Sequence, residues 1–560
     1  STPIKSSAAS DVYKRQIMSH IFIDEYPILT FEFEPFIDKY WNIGLSQYII
    51  EQYGNSTTYD HEKVEKILMS CFEYFIGQFK DLILKQDTEI FFKSVFLFHE
   101  ASIALYIKQL EGFQLPEVIE SDFPRYRRVL KLILEQACDI ELTAKKGLDY
   151  KEIINTIQEL YYLGNWIYEF AIYIAYHKMI QNAYYIEFEE NVFTCGWQNN
   201  FGKVNETLCR YFGIDYETFF DEGALNELKR ALEDNFSIDY NKAIGIIPYL
   251  KKHHSNNPEQ TLEPYILPIN LATECKTSEE NTSMFYSGLM LSKTNKLTLE
   301  NAVLKPYSEK RYMFRPILTY IVDGVERALI GNNKIAESMM VIASNMIHWN
   351  NMPEEWLKDK GMVDFMNKKG LEHDRLLENE IEKIFQQNKY PYCRNIESFR
   401  QKGKKQNINI NTPKVGEIDF IIVNKNKNKV FIADTKYNRA RYDAVGYRID
   451  YSNFIEYEKK LERKKNWLIN NLQVLQEHLE EMFHIDYSIL SFEVEAVFFI
   501  NTPTFYMFNG KYKALTLLRI KEYIENTWDY PIIKLEDKTN KRILKYSHPY
   551  FKNPIIISTE

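Results

Sequence analysis

Residues 415–436 read VGEIDFIIVNKNKNKVFIADTK, and this stretch decides the fold of the C-terminal part of the chain. Two apolar runs flank a polar, lysine-rich segment. The pattern predicts strands over Val415–Val423 and Val430–Lys436, joined by a turn at 424–429. Such a short connection predicts an antiparallel hairpin.

Pairing within this hairpin brings three charged side chains together. If Val423 pairs with Val430, the antiparallel register places Asp419 opposite Asp434, with Cβ atoms about 4.5–5.5 Å apart. Lys436 lies two residues beyond Asp434 and therefore points to the same face. A register change of one residue would separate these side chains, so the prediction depends on the register.

The three side chains suit phosphodiester chemistry. Two close carboxylates repel each other unless a cation lies between them or one of them is protonated. Mg²⁺ prefers carboxylate, water and phosphate oxygens, and it can polarise a phosphodiester oxygen and acidify bound water. Lys436 could orient the attacking water or stabilise charge on the phosphate. The alternative is a surface hairpin with a salt bridge, but the apolar residues before Asp434 are typical of a buried strand that ends at a polar site.

The elements around the hairpin predict an α/β domain over 361–530, followed by an extension over 531–560. In chain order they are a helix over Leu371–Gln387, a short strand over Tyr390–Phe399, the hairpin, a long helix over 452–483, a strand over Phe492–Ile500 and a hairpin turn at Asn509-Gly510. This order predicts a central mixed sheet flanked by helices.

The region 18–360 is expected to be mainly helical. Helical spacing of apolar residues is found over 60–190, 203–235 and 308–350, with a strand-like alternation over 184–194. The polar stretch 253–283 is a candidate seam between two subdomains, and 351–370 reads as a linker. Residues 1–17 lack the apolar core of a signal peptide and resemble translated adapter sequence. We expect the native start at Met18 and leave 1–17 out of the fold.

Length and composition predict a soluble multidomain protein. The chain has 560 residues, of which 45% are hydrophobic and 26% charged, with a mean hydropathy of -0.39. At roughly 100–200 residues per domain, two to four domains are expected. The apolar stretch Trp166–Tyr176 is shorter than the ~20 residues of a membrane span. Six cysteines without a CxxC pair argue against a zinc ribbon and fit a reducing cytoplasm.

Charge is divided unevenly along the chain. Residues 361–560 carry a net charge of +6, and residues 1–360 carry -15. Within 400–442, eleven basic residues face three acidic ones, a balance that favours binding of a polyanion. Solvated, lysine-rich loops are the alternative. The candidate nucleic-acid contacts are Lys404, Lys405, Lys414, Arg439 and Arg441.

A second basic group lies early on the long helix. It consists of Lys459, Lys460, Arg463, Lys464 and Lys465. These residues could contact phosphates or form the solvated face of the helix, and we favour the solvated face.

The C-terminal third resembles the PD-(D/E)XK nuclease superfamily, which has the restriction-endonuclease-like fold. The resemblance rests on Gly416-Glu417-Ile418-Asp419-Phe420 and Asp434-Thr435-Lys436, placed between an upstream helix and a long downstream helix. Ile418 stands where the family has proline, and Asp434 replaces the more usual glutamate. The resemblance implies that a glutamate of the upstream helix completes the metal site. Glu378 fits best by its spacing to the apolar positions, with Glu380 and Glu382 as competitors.

These observations predict a nuclease that hydrolyses DNA with Mg²⁺ or Mn²⁺, plausible in bacterial or phage genome defence. Asp419, Asp434, Lys436 and Glu378 are the expected catalytic residues, and the three acidic ones are the expected metal ligands. The alternatives are a non-catalytic nucleic-acid-binding or scaffold protein with the same fold, and a nuclease that cleaves RNA.

The sequence has no phosphate-binding loop motif, so a separate NTPase would have to supply any motor activity. We expect a cytoplasmic protein with no membrane association. The N-terminal region could bind a protein partner, and the chain could form a homo-oligomer.

Overall fold

The computed structural model describes residues 20–120, 122–144, 149–213, 223–254, 261–342, 346–349, 351–441 and 443–558. The predicted leader over 1–17 lies outside the described residues. The described chain is a mixed α/β protein with many helices and several sheets, in agreement with the expected multidomain α/β class.

Helices dominate the chain before residue 342. They are α1 (Glu34–Ile37), α2 (Ser46–Tyr53), α3 (His61–Ile83), α4 (Glu89–Leu110), α5 (Glu117–Glu120), α6 (Phe123–Gln136), α7 (Tyr150–Met179), α8 (Phe201–Gly213), α9 (Ala224–Phe236), α10 (Tyr240–His254), α11 (Ile266–Cys275), α12 (Glu279–Leu289), α13 (Leu299–Leu304) and α14 (Asn332–Val341). The strands of this region are β1 (His20–Ile23), β2 (Tyr26–Leu29), β3 (Glu141–Leu142), β4 (Tyr184–Glu189), β5 (Val192–Trp197), β6 (Thr261–Leu262), β7 (Met290–Leu291), β8 (Ile317–Val322) and β9 (Val325–Ile330).

Side-chain caps fix the starts of the long helices. The Asp60 carboxylate accepts a hydrogen bond from the N–H of Lys63 at the start of α3, and Asp149 accepts one from Lys151 at the start of α7. Each cap satisfies a backbone donor that has no partner inside the helix. The two helices then pack together along their apolar sides.

The prediction of helix throughout 308–350 is wrong. Residues Ile317–Val322 and Val325–Ile330 form the antiparallel hairpin β8–β9, and the helix α14 begins only at Asn332. The turn is Asp323-Gly324, with φ angles of 47° and 77°. An Asp-Gly pair between apolar runs is a strong hairpin signal, because both turn residues must adopt positive φ. This local turn preference overrides the helical spacing of the apolar residues.

The C-terminal part combines one five-stranded sheet with long helices. Its helices are α15 (Lys360–Asn388), α16 (Ala444–Asn470), α17 (Leu472–Phe483), α18 (Tyr506–Asn509) and α19 (Leu517–Ile524). Its strands are β10 (Tyr392–Ile396), β11 (Ser398–Phe399), β12 (Ile408–Asn409), β13 (Ile418–Asn424), β14 (Lys429–Lys436), β15 (Glu493–Ile500), β16 (Lys513–Thr516), β17 (Ile533–Asp537), β18 (Arg542–Tyr546) and β19 (Ile555–Ser558).

The central sheet is mixed and lies between two helical layers. Its strand order is β10-β13-β14-β15-β16, antiparallel for the first two pairings and parallel for the last two. Successive residues of β13 point to opposite faces. Phe420 packs against Phe385 of α15, whereas Ile421 belongs to the buried cluster that contains Leu461 of α16. The extension 531–560 contains the separate antiparallel sheet β17-β18-β19.

Two local predictions in this part need correction. The expected single helix over 452–483 begins earlier, at Ala444, and is divided at Asn471 into α16 and α17. The expected hairpin turn at Asn509-Gly510 is wrong. Asn509 ends the short helix α18, and the strands on either side, β15 and β16, run parallel. Parallel neighbours need a crossover connection, which a tight two-residue turn cannot provide.

Helix α15 joins the N-terminal and C-terminal parts. It begins at Lys360, inside the expected linker, because the Asp359 side chain caps it through the N–H of Met362. Its first turns pack into the core formed by residues 224–366, and its later turns, including Leu377, pack onto the central sheet. Leu250 and Phe285, on either side of the expected seam at 253–283, belong to that same core.

The N-terminal helices also pack directly on the C-terminal part. Helix α16 lies against α7, and an aromatic cluster connects Tyr176 and Phe201 with Phe505 and Phe551. The buried cluster that includes α3 and α7 continues into α16 and β15. The two parts therefore share apolar surface.

Helix α4, at Glu89–Leu110, is long and apolar enough to cross a membrane, but 67% of its most apolar window is buried inside the protein. It packs against α6 and α14. This burial is consistent with a core helix of a soluble protein.

Candidate functional site

The hairpin β13–β14 has the register that the sequence predicts. Val423 pairs with Val430, and the ladder continues to the pair Phe420 and Ala433. Along this register, Asp419 and Asp434 are the next two residues to face each other. The Asp419 Oδ2 atom accepts hydrogen bonds from the N–H and the hydroxyl of Thr435, at 2.7 and 2.9 Å. The two aspartates therefore lie at the same end of the hairpin, where the charge of Asp434 acts on Asp419.

Two lysines approach these carboxylates. The Nζ atom of Lys464, on α16, lies 2.5 Å from Oδ1 of Asp434, and both side chains are buried. The Nζ atom of Lys436 lies 3.8 Å from Oδ2 of Asp434 and donates a hydrogen bond to the carbonyl oxygen of Thr435 at 2.8 Å. Asp434 therefore lies between two ammonium groups.

The titration properties show how the charges are balanced. Burial raises the pKa of Asp419, and the neighbouring Asp434 raises it further, against the opposing effect of Lys436 and Lys464. Burial alone would lower the pKa of Lys436, but Asp434 and Asp419 outweigh it and raise that pKa above its usual value. Lys436 is therefore a cation at neutral pH.

Glu417 extends the acidic surface of the site. It lies just before β13 begins, two residues from Asp419, and the Asp419 charge acts on it. Burial, Asp419 and Glu397 raise the pKa of Glu417. The residue before it, Gly416, has a φ of 90°, a left-handed value that favours glycine and that directs the chain into β13.

The structure does not bring Glu378 together with the two aspartates. Its Oε2 atom accepts hydrogen bonds from Nε and Nη2 of Arg394, at 3.2 and 2.8 Å. Of its two competitors, Glu382 also pairs with Arg394, and Glu380 pairs with Lys383. Within the described ranges, no group of three or more Asp, Glu, His or Cys side chains is arranged to hold a metal ion.

The remaining donor set still fits a hard divalent cation. Asp419 and Asp434 offer carboxylate oxygens at the same end of the neighbouring strands β13 and β14. Mg²⁺ commonly binds through one or two carboxylates and takes its other ligands from water and substrate phosphate. The chemistry of the residues therefore suits a two-carboxylate magnesium site.

The loop after Lys436 faces the N-terminal part of the protein. The Arg439 guanidinium lies 5.1 Å from the Tyr307 ring and 5.4 Å from the Trp349 ring, and Arg441 lies 5.5 Å from Tyr307. Arg441 also forms a two-bond ion pair with Asp450, at 3.0 and 2.7 Å. Burial and the nearby Arg441 lower the pKa of Arg439 to about 10. The observed partners of both arginines are protein groups, and their contact with nucleic acid stays a prediction that requires the loop to move.

Two further contacts hold this loop. Asp443 pairs with Arg128 of α6 at 3.0 Å, and the Tyr437 ring packs against His373 at 4.0 Å between centroids. By contrast, Lys404, Lys405 and Lys414 are exposed, as expected for residues that could contact a polyanion.

Sequence reasoning missed Lys464 and Thr435. The prediction that Lys464 lies on a solvated helix face is wrong, because its side chain is buried against Asp434. A signal was present, because Lys464 lies three residues after Leu461 and four before Leu468, on the apolar stripe of α16. Lysine on such a stripe indicates a buried partner for its charge. Thr435 carried no comparable signal, because threonine is common in strands.

Comparison with known proteins adds no relative, because no protein-family model, curated protein or solved structure matches the chain.

Proposed function

We propose that the chain is a divalent-metal-dependent nuclease that hydrolyses phosphodiester bonds of DNA. The observation that carries this proposal is that Asp419 and Asp434 lie at the same end of the adjacent strands β13 and β14, with Lys436 Nζ 3.8 Å from Oδ2 of Asp434. Two carboxylates and an ammonium suit a reaction at a phosphate that needs both a metal ion and a fixed positive charge.

The order of elements supports the resemblance to the restriction-endonuclease-like fold. Helix α15 precedes the antiparallel strands β10, β13 and β14, and α16 connects them to the parallel strand β15. Asp419, Asp434 and Lys436 lie on the hairpin formed by β13 and β14 in this arrangement.

In the proposed reaction, Asp419 and Asp434 hold Mg²⁺ or Mn²⁺. The ion, when bound, polarises a phosphodiester oxygen and acidifies a water molecule. Thr435 fixes the orientation of the Asp419 carboxylate through two hydrogen bonds. Lys436, cationic at neutral pH, stabilises the negative charge that develops on the phosphate. Glu378 is held by Arg394 and would have to leave it to act on the metal.

Charge and location extend the proposal. The basic C-terminal part holds the nucleic acid through exposed residues such as Lys404, Lys405 and Lys414. The acidic region before it recognises a protein partner, and a separate NTPase supplies any motor activity. We place the protein in the cytoplasm, in genome defence, by analogy with the superfamily.

The test is cleavage of supercoiled plasmid, linear duplex, single-stranded DNA and RNA, each with Mg²⁺, Mn²⁺ or EDTA. We expect metal-dependent cleavage of DNA that Asp434→Ala abolishes, with DNA binding intact or stronger because a negative charge is removed. The matched control is Asp486→Ala, at an exposed aspartate of the same part of the chain. Cleavage by Asp434→Ala at the parent rate would reject the site. Cleavage of RNA alone would favour the RNA-cleaving alternative, and binding without cleavage would favour the non-catalytic one.

A further inference from the structure

Lys464 occupies a place at the proposed metal site that no part of the proposed reaction uses. Its Nζ atom lies 2.5 Å from Oδ1 of Asp434, thirty residues away in the chain. Its side chain is only 10% exposed, and the Asp434 side chain 3%. The Cε atom of Lys464 lies 3.8 Å from the position that a Cβ on Gly416 would take. The aliphatic part of the side chain therefore passes close to Gly416, at the start of residues 416–419.

The side chain of Lys464 reaches both strands' acidic residues at this end of the hairpin. Its ammonium group contacts Asp434 of β14, and its stem lies beside Gly416, the residue that precedes Glu417. Asp374 also acts electrostatically on Lys436, and Glu378 and Glu397 act on Glu417. Removing Lys464 would remove the ammonium group that contacts Oδ1 of Asp434.

A buried, unpaired carboxylate is costly, and a fixed ammonium offsets that cost without a metal. Lys464 contacts Oδ1 of Asp434 and so occupies one of the two oxygens that this carboxylate can offer to a metal ion. Lys436 is farther from Asp434, at 3.8 Å, and also donates to a backbone carbonyl. Of these two lysines, Lys464 is thus the one placed to compete with a metal for Asp434.

We propose that Lys464 is a tethered counter-ion that neutralises Asp434 when no metal is bound and is displaced from it when a divalent cation binds. Lys464 is then a positioning residue. It keeps the two strands of the hairpin correctly arranged in the metal-free protein, and it lowers the affinity of the site for the metal. This inference rests on the proposed function, since it requires a metal at Asp419 and Asp434.

The test compares Lys464→Gln with Lys459→Gln in the full chain. Lys459 lies on the same helix, is exposed, and pairs with Glu456, so its replacement removes the same charge away from the site. The readouts are the Kd for Mn²⁺ and Mg²⁺ by calorimetry, and the Tm in EDTA and in each metal. Neither readout depends on cleavage.

We expect Lys464→Gln to bind Mn²⁺ at least about tenfold more tightly, because a competing unit charge within a few ångströms is removed. Its Tm in EDTA should fall below that of the parent, and metal should raise its Tm by more than it raises the parent's. Lys459→Gln should match the parent in both readouts. Lys464→Met, which retains the apolar stem, should behave like Lys464→Gln.

The outcomes separate this inference from the proposed function. If the parent binds metal in a way that Asp434→Asn removes, but both Lys464 variants have the parent's Kd, only the counter-ion role is wrong. If the parent binds no divalent cation, the counter-ion role and the proposed function both fail. If Lys464→Gln unfolds in EDTA, Mn²⁺ should restore its folding, and failure to do so would overturn the inference.

Discussion

Asp419 Oδ2 accepts both hydrogen bonds that Thr435 can offer it, one from the backbone N–H at 2.7 Å and one from the hydroxyl at 2.9 Å. One oxygen of the carboxylate is thereby held. The contact crosses from β13 to β14, so it also joins the two strands at the point where their described ladder ends.

Thr435→Val should weaken the site without unfolding the protein. Valine has a similar shape and suits a strand, so only the hydroxyl hydrogen bond to Asp419 is lost. Groups that orient a metal ligand typically contribute about 10–100-fold to affinity or activity. We expect a fall of this size in the Mn²⁺ affinity measured by calorimetry, with the Tm nearly unchanged.

The control for that experiment is Thr273→Val, because the Thr273 hydroxyl is exposed and bonds only to a carbonyl of its own helix. If Thr435→Val binds Mn²⁺ as tightly as the parent, the hydroxyl does not position Asp419.

Lys436 should act on the rate of cleavage more than on substrate binding. Its charge meets the developing negative charge of the phosphate, whereas exposed lysines such as Lys405 hold the backbone in the ground state. Lys436→Ala should lower the single-turnover rate on the order of 10²-fold or more, with little change in Kd for DNA. Lys436→Arg should not restore the rate fully, since the planar guanidinium is larger.

Lys405→Ala is the comparison for this experiment, and it should weaken DNA binding slightly and leave the single-turnover rate unchanged. A parent-like rate together with a lower Tm for Lys436→Ala would mean that Lys436 only balances the charge of Asp434.

The sequence predicts the hairpin and its pair of aspartates well because both depend on local rules. Strand alternation, the polar turn and the pairing of Val423 with Val430 are sufficient to place Asp419 and Asp434 on adjacent strands. The same local reasoning fails where a contact comes from a distant element. Lys464 is buried because α16 packs over the hairpin, and Arg439 is covered because Tyr307 and Trp349 reach it from the N-terminal part.

The errors in secondary structure have a related origin. Asn509-Gly510 has the composition of a hairpin turn, but the chain there crosses over to a parallel strand. A dipeptide predicts the local turn and not the order or direction of the strands in the sheet. The hairpin at Asp323-Gly324 was missed for the opposite reason. Its turn signal was clear, but the apolar spacing around it was also compatible with a helix.

The contact between the loop after Lys436 and the N-terminal part can be tested by proteolysis. Arg439 and Arg441 are trypsin sites whose side chains pack against Tyr307, and Arg439 also packs against Trp349. Trp349→Ala should raise the rate of cleavage after these arginines on the order of tenfold, since a desolvated cation–π contact contributes about 1–2 kcal/mol. Mass spectrometry of the released peptides measures the rate.

Tyr249→Ala, at an aromatic residue that is 61% exposed, should leave that rate unchanged. Equal cleavage of the parent and Trp349→Ala would mean that Trp349 does not hold the loop.

Glu100 links α4 to the start of α14 and should make stability depend on pH. Its carboxylate accepts hydrogen bonds from the N–H groups of Asn333 and Lys334, at 3.0 and 2.9 Å, and so caps the helix from a neighbouring element. A Cβ on Gly331 would lie 2.1 Å from Glu100 Oε1, so glycine is required for this approach. Burial raises the pKa of Glu100 to about 7, and the two N–H donors only partly oppose it.

Because the folded protein binds the Glu100 proton more tightly than the unfolded chain, this residue contributes most to stability below pH 4.5. The contribution is lost as the pH rises from 4.5 to about 7, and a shift of this size corresponds to about 3 kcal/mol. Glu100→Gln cannot titrate at this position. As the pH rises from 4.5 to 7, the unfolding free energy of the parent should therefore fall relative to that of Glu100→Gln. Urea unfolding at several pH values from 4.5 to 7.5 measures the difference, and Glu111→Gln, at the exposed end of the same helix, should give a profile parallel to that of the parent. Parallel profiles for the parent and Glu100→Gln would show that Glu100 has the same pKa in the folded and unfolded states.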